Sequence, residues 1–118
     1  MKIFKMPWKQ ENNDLEQVVI IPKIINYSRE DYEHITVEGE DEVIEWKSIP
    51  RLTSFFEVYP DIDSYKRRAV PLTVVKDSVN IKEEVNLYVD FAVESLINKQ
   101  DPIQDFSKGQ VDTINFGE

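Results

Sequence analysis

The sequence predicts an α+β fold: a mainly antiparallel sheet of about five to seven strands packed on one helix in the C-terminal half, at about residues 81–98. Two patterns carry that expectation. Short runs rich in β-branched and aromatic residues, bounded by Pro, Asn, Asp or Gly, fill the first two-thirds. A single stripe of helical period follows them. With 118 residues, 41% hydrophobic and 31% charged, the chain is expected to form one domain over 1–118 with one modest core. Residues 101–118 are expected to be either a loose tail or a final strand.

The first strong run is Val18 to Ile25, almost wholly apolar, as in a strand covered on both faces. Pro22 lies inside it and lacks a backbone donor, so an edge position or a bulge is expected there, with the run broken at its centre. Next, Tyr32, His34, Thr36 and Glu38 alternate with Glu33, Ile35 and Val37 up to Gly39-Glu40-Asp41, and Val43-Ile44-Glu45-Trp46-Lys47 follows. Alternation on both sides of a Gly-containing turn predicts a hairpin. Leu52–Tyr59 and Ala69–Val75 read as two further strands, separated by the turn-prone Pro60-Asp61-Ile62-Asp63-Ser64. Adjacent Phe55 and Phe56 must then point to opposite faces.

The helix is expected to start after Asn80, whose side chain can accept from an amide near Glu83 while Glu83 reaches back. Ile81, Val85, Tyr88, Ala92 and Leu96 form one stripe, widened by Val89 and Val93, and Pro102 stops the helix near 98–101. Beyond it, Val111–Phe116 is the candidate for a last strand.

Charge narrows the function. Fourteen Lys and Arg face 23 Asp and Glu, a net charge of −9, which disfavours polyanions and anionic membranes as partners. The charge comes in blocks: residues 29–45 sum to −7, whereas 46–76 sum to +3. Lys66-Arg67-Arg68 beside Tyr65 is a local basic cluster, but the adjacent acidic block offers it an intramolecular partner. With no Cys, the chain has no disulfide, no thiolate nucleophile and no Cys-ligated metal, which fits a reducing compartment; cytoplasm is the expected location. No apolar run reaches the roughly 18 residues of a membrane span, and the N-terminal segment lacks a signal-peptide core.

Sequence motifs for chemistry are sparse. There is one histidine, His34, no Gly-x-Ser-x-Gly, no Gly-rich phosphate loop, and no calcium-loop register in Glu38, Glu40, Asp41, Glu42 or Asp61-x-Asp63. Asp31 followed by Glu45-Trp46-Lys47 resembles the Asp…Glu-x-Lys core of the PD-(D/E)xK nuclease superfamily, with Glu30 where that family has Pro. The resemblance implies a divalent metal held by Asp31 and Glu45, with Lys47 stabilising the nucleophile or the developing charge.

The function that best fits the sequence is a small acidic, non-enzymatic interaction module of the inhibitor, immunity or accessory type, such as phages and mobile elements encode, which binds a basic protein surface. No cofactor and no metal are expected. The acids Glu38, Glu40, Asp41, Glu42 and Glu45 would steer the partner, while Trp46, Phe55, Phe56 and Tyr59 are the candidate aromatic anchors. A metal-dependent nuclease and a self-associating structural subunit of a phage or secretion assembly are the alternatives.

Overall fold

A computed structural model describes residues 1–81 and 88–115. Five strands, β1 (Lys2–Trp8), β2 (Leu15–Glu38), β3 (Asp41–Tyr59), β4 (Thr73–Asn80) and β5 (Gln110–Thr113), make one antiparallel sheet in the order β4-β3-β2-β1-β5. The first four strands are a meander, in which each pairs with the next in sequence, and β5 returns to the outer edge of β1. Two α-helices, α1 (Ile62–Lys66) and α2 (Tyr88–Ser95), complete the regular elements, with 3-10 turns at Leu96–Asn98 and Phe106–Lys108.

Side-chain alternation divides the sheet into two apolar faces. On the first, Phe4, Met6 and Trp8 of β1, Val18 and Ile20 of β2, Leu52, Phe56 and Val58 of β3 and Val75 of β4 are buried in one cluster with Ile81, Ala92, Val93, Leu96 and Phe106. The Phe106 ring lies 6.4 Å from that of Phe4 and, edge-on, 6.4 Å from that of Trp8. On the second face, Ile3, Val19, Ile21 and Tyr59 are covered by Ile62 and Tyr65 of α1 and by Ile114. The Asp61 carboxylate accepts from the Ser64 amide at 2.7 Å and caps α1.

Several expectations need revision. The α-helix ends earlier than 98: the described part of α2, Tyr88–Ser95, is followed by one 3-10 turn at Leu96–Asn98, Asn80 closes β4 and Ile81 is not helical, while positions 82–87, Glu83 and Val85 among them, lie outside the described residues. The run around Pro22 is not broken but bulged, since β2 continues through it and the register with β3 slips by one residue between Pro22 and Ile24. Pairing with β1 has already ended at Ile20, so the missing Pro22 amide leaves no ladder incomplete on that side. The strand expected at 69–75 starts later, at Thr73, after Arg68 turns the chain at φ 58. The last strand ends at Thr113, and Phe116 lies outside the described residues.

β2 and β3 are far longer than the strands that flank them, with 24 and 19 residues. β1 pairs with β2 only up to Ile20 and β4 with β3 only from Arg51, so among the described strands residues 29–38 and 41–50 pair only with each other. They form a two-stranded arm about 34 Å long, at about 3.4 Å per residue. The arm accounts for the elongation of the molecule, which measures 63 × 36 × 21 Å.

Candidate functional site

The arm begins where β2 leaves the helix. Tyr27 stacks on Tyr88, the first described residue of α2, with ring centroids 5.6 Å apart, and among the described residues nothing of the core lies beyond that contact. Outward of it, every side chain from 31 to 48 is exposed. At the tip, Gly39 takes φ +66 while Glu40 does not, the sign pattern of a two-residue II′ turn whose twist matches that of the strands it joins. From Ile25↔Ser54 to Glu38↔Asp41 the register runs without a second irregularity.

That register sorts the arm into two unlike faces, because directly paired residues project to the same side. On the side continuous with the helix-covered core lie Glu33↔Trp46, Ile35↔Ile44 and Val37↔Glu42. Here Trp46 is 74% exposed, Val37 66%, and Ile35 and Ile44 54% each, so four large apolar side chains form a stripe that none of the described residues covers. On the opposite side lie Tyr32↔Lys47, His34↔Glu45, Thr36↔Val43 and Glu38↔Asp41, a mainly polar surface. A ribbon held up in solvent with a greasy side and a charged side has the composition of a contact surface: an apolar centre rimmed by charge.

The candidate residues therefore separate. Glu38, Glu40, Asp41 and Glu42 cluster at the tip, around the turn. Glu45 belongs to the polar face, opposite the face that bears Trp46. Phe55 is half-buried on the second face of the sheet, with the Lys76 ammonium 5.9 Å from its ring centre. Phe56 and Tyr59 are not surface anchors. Phe56 is fully buried in the first core cluster, and Tyr59 is 4% exposed under α1, where burial pushes its phenol pKa up. Both fall on β3 inside the body, where each sheet face has a covering element.

Asp31 pairs with Ser48 and so shares the apolar-stripe side, whereas Glu45 and Lys47 project from the other. The three residues of the nuclease-like motif do not converge. Among the described residues no group of three His, Cys, Asp or Glu side chains comes together in a way that could hold a metal ion, and no helix is long and apolar enough to cross a membrane.

What sequence reasoning missed is the apolar stripe itself. The alternation predicted a hairpin through Ile35, Val37 and Ile44 without saying which face would be covered, and only the pairing of 29–50 shows that no layer of the described residues lies over them. A second exposed patch escaped notice too. On the second face of the sheet, Ile24 pairs with Phe55, Phe55 with Lys76 and Glu57 with Val74, so Ile24, Phe55 and Val74 are neighbours. Ile24 is 46% exposed, Val74 53% and nearby Leu72 43%. Lys23, the bulged residue, borders this patch and reaches Glu57 at 3.4 Å.

No family model, curated protein or solved structure matches this chain.

Proposed function

We propose that this chain is a non-enzymatic protein-interaction module that works through its β-arm, presenting an anionic tip and an apolar stripe to a basic protein surface. One observation carries it: a two-stranded ribbon projects from the body with Ile35, Val37, Ile44 and Trp46 uncovered on one side. An isolated two-stranded ribbon is marginally stable in water and leaves both edges unpaired. A ribbon of this length that contributes nothing to the core is best explained by a use outside it. Net charge fits the same use. Residues 29–45 sum to −7, so the arm attracts a cationic surface over the Debye length of about 8 Å, and the apolar stripe then supplies contact area. Trp46, the most exposed of the stripe, has the residue type that most often dominates such contacts.

The test places a photo-crosslinking phenylalanine analogue at position 46, and at exposed Ile103 on the body as a control, in cells that make the protein naturally. Adducts from position 46, absent from position 103 and lost when Glu38, Glu40, Asp41, Glu42 and Glu45 are changed to Lys, are the expected result. An arm that yields no adduct refutes the proposal. The structural-subunit alternative uses the same arm and differs only in what the arm touches.

A further inference from the structure

Resting on that reading of the arm, we infer that its partner is a second copy of this chain: the apolar stripe of one molecule docks, head to tail, on the Ile24–Phe55–Val74 patch of the next. The two surfaces complement each other in apolar content and charge. The stripe is one side of a two-stranded ribbon, and the patch is a stretch of sheet between α1 and the root of the arm, bearing exposed Ile24, Leu72 and Val74. Two such surfaces stack at the usual spacing of about 10 Å.

Their charges are opposite. Glu33 and Glu42 flank the stripe on its own face, and the acids of the tip lie beyond. Lys23 and Lys76 border the patch, and the exposed Lys66, Arg67 and Arg68 end and follow α1 on the same face, past the end of β3 remote from the tip. The acids there do not reverse the sign: Glu57 pairs with Lys23, Asp61 is engaged in capping α1, and residues 46–76, with Asp63 included, still sum to +3. With the molecule 63 Å long and screening acting over about 8 Å, the two ends do not neutralise each other within one molecule.

Charge also selects against the simplest alternative, a symmetric dimer of two arms stripe to stripe. That arrangement would set a −7 segment against its own copy. The head-to-tail contact uses two different surfaces and therefore propagates, into a ring if the rotation closes and into an open chain if it does not. One side of a ribbon about 34 Å by about 10 Å covers about 340 Å² per molecule, under half the ~800 Å² of a standard stable interface, so association is concentration-dependent.

Sedimentation velocity on the full chain, from about 10 μM to about 500 μM, reads this directly. Wild type is expected to gain mass progressively with concentration. Trp46→Ala on the stripe, and Val74→Glu with Lys76→Glu on the patch, should each weaken association at least about tenfold while leaving the melting temperature in place. Mixing the two variants is decisive: one intact stripe and one intact patch remain, so the mixture should form dimers and stop there. A wild type that stays monomeric at the top concentration overturns the inference, and so does association that the patch variant leaves untouched, which would mean arm against arm. Neither result disturbs the arm as an interaction device if position 46 crosslinks to a different protein, whereas the absence of any adduct at position 46 removes both.

Discussion

Excising the arm should leave the body folded. The perturbation replaces residues 30–49 by a short turn that joins Arg29 to Pro50. None of residues 31–49 is buried; the core members nearest in sequence are Ile21 on one side and Leu52 on the other. The excised ribbon is worth little by itself, because backbone pairing in an isolated two-stranded hairpin barely offsets the entropy of ordering it. The predicted change in stability is therefore within about 1 kcal/mol. Phe106→Ala sets the scale for comparison. That ring is 1% exposed against Phe4 and Trp8, and its loss should cost about 3–5 kcal/mol. Urea denaturation followed by circular dichroism measures both, since midpoint and slope together give the free energy. If arm excision lowers stability as much as Phe106→Ala, the ribbon is part of the folding unit and its claim to an external role is lost.

Three further outcomes can be measured. A Cβ on Gly109 would overlap the Phe4 ring, which is fully buried, so Gly109→Ala should lower stability by about 1–3 kcal/mol, visible as a lower melting temperature; an unchanged melt would mean that the ring can move aside. Gly39 has open space around it but sits at φ +66, so Gly39→Val should loosen the tip by about 1–2 kcal/mol of backbone strain, seen as faster amide exchange in 33–46 with the melt of the body unaltered. Asp61, Asp101, Asp105 and Asp112 are each held below the ordinary carboxylate value, by hydrogen bonds from the Ser64 amide, the Gln104 and Ile103 amides, Ser107 and Lys5 respectively. The folded state binds these protons more weakly than the unfolded chain does, so their stabilisation is complete above about pH 4 and is lost as pH falls through the depressed values; a urea midpoint that stays constant from pH 6 down to pH 2 would contradict this.

The hairpin was legible because alternation on both sides of Gly39-Glu40 admits one register. That a single β3 runs from Asp41 to Tyr59 was not, since Ser48-Ile49-Pro50 interrupts the pattern. The structure shows why Pro50 is tolerated: its carbonyl accepts from the Ile81 amide on the side away from β2, so its nitrogen also faces away from β2 and the missing donor breaks no bond of that ladder. The opposite facing of Phe55 and Phe56 followed from period alone. Which of the two is covered did not, because it depends on where α2 and α1 lie. Asp31, Glu45 and Lys47 illustrate the same limit, in that spacing along the chain permits convergence while the pairing Asp31↔Ser48 sends the first residue to the other face. β1 at Lys2–Trp8 went unmarked, since it is short and carries Pro7.

Lys23 is the one extra residue in the ladder, and the bulge it makes has an effect far from its own position. Before it, even-numbered β2 residues such as Val18 and Ile20 point toward the side that α2 occupies; after it, odd-numbered ones do, Tyr27, Ile35 and Val37 among them. Were Lys23 paired with Phe55 in the ladder while β3 stayed fixed, Ile35 would lie opposite Val43, on the reverse of the blade from Ile44, leaving two mixed surfaces in place of one oily and one hydrophilic. A single unpaired amino acid at the hilt thus decides whether the blade has a flat to grip with.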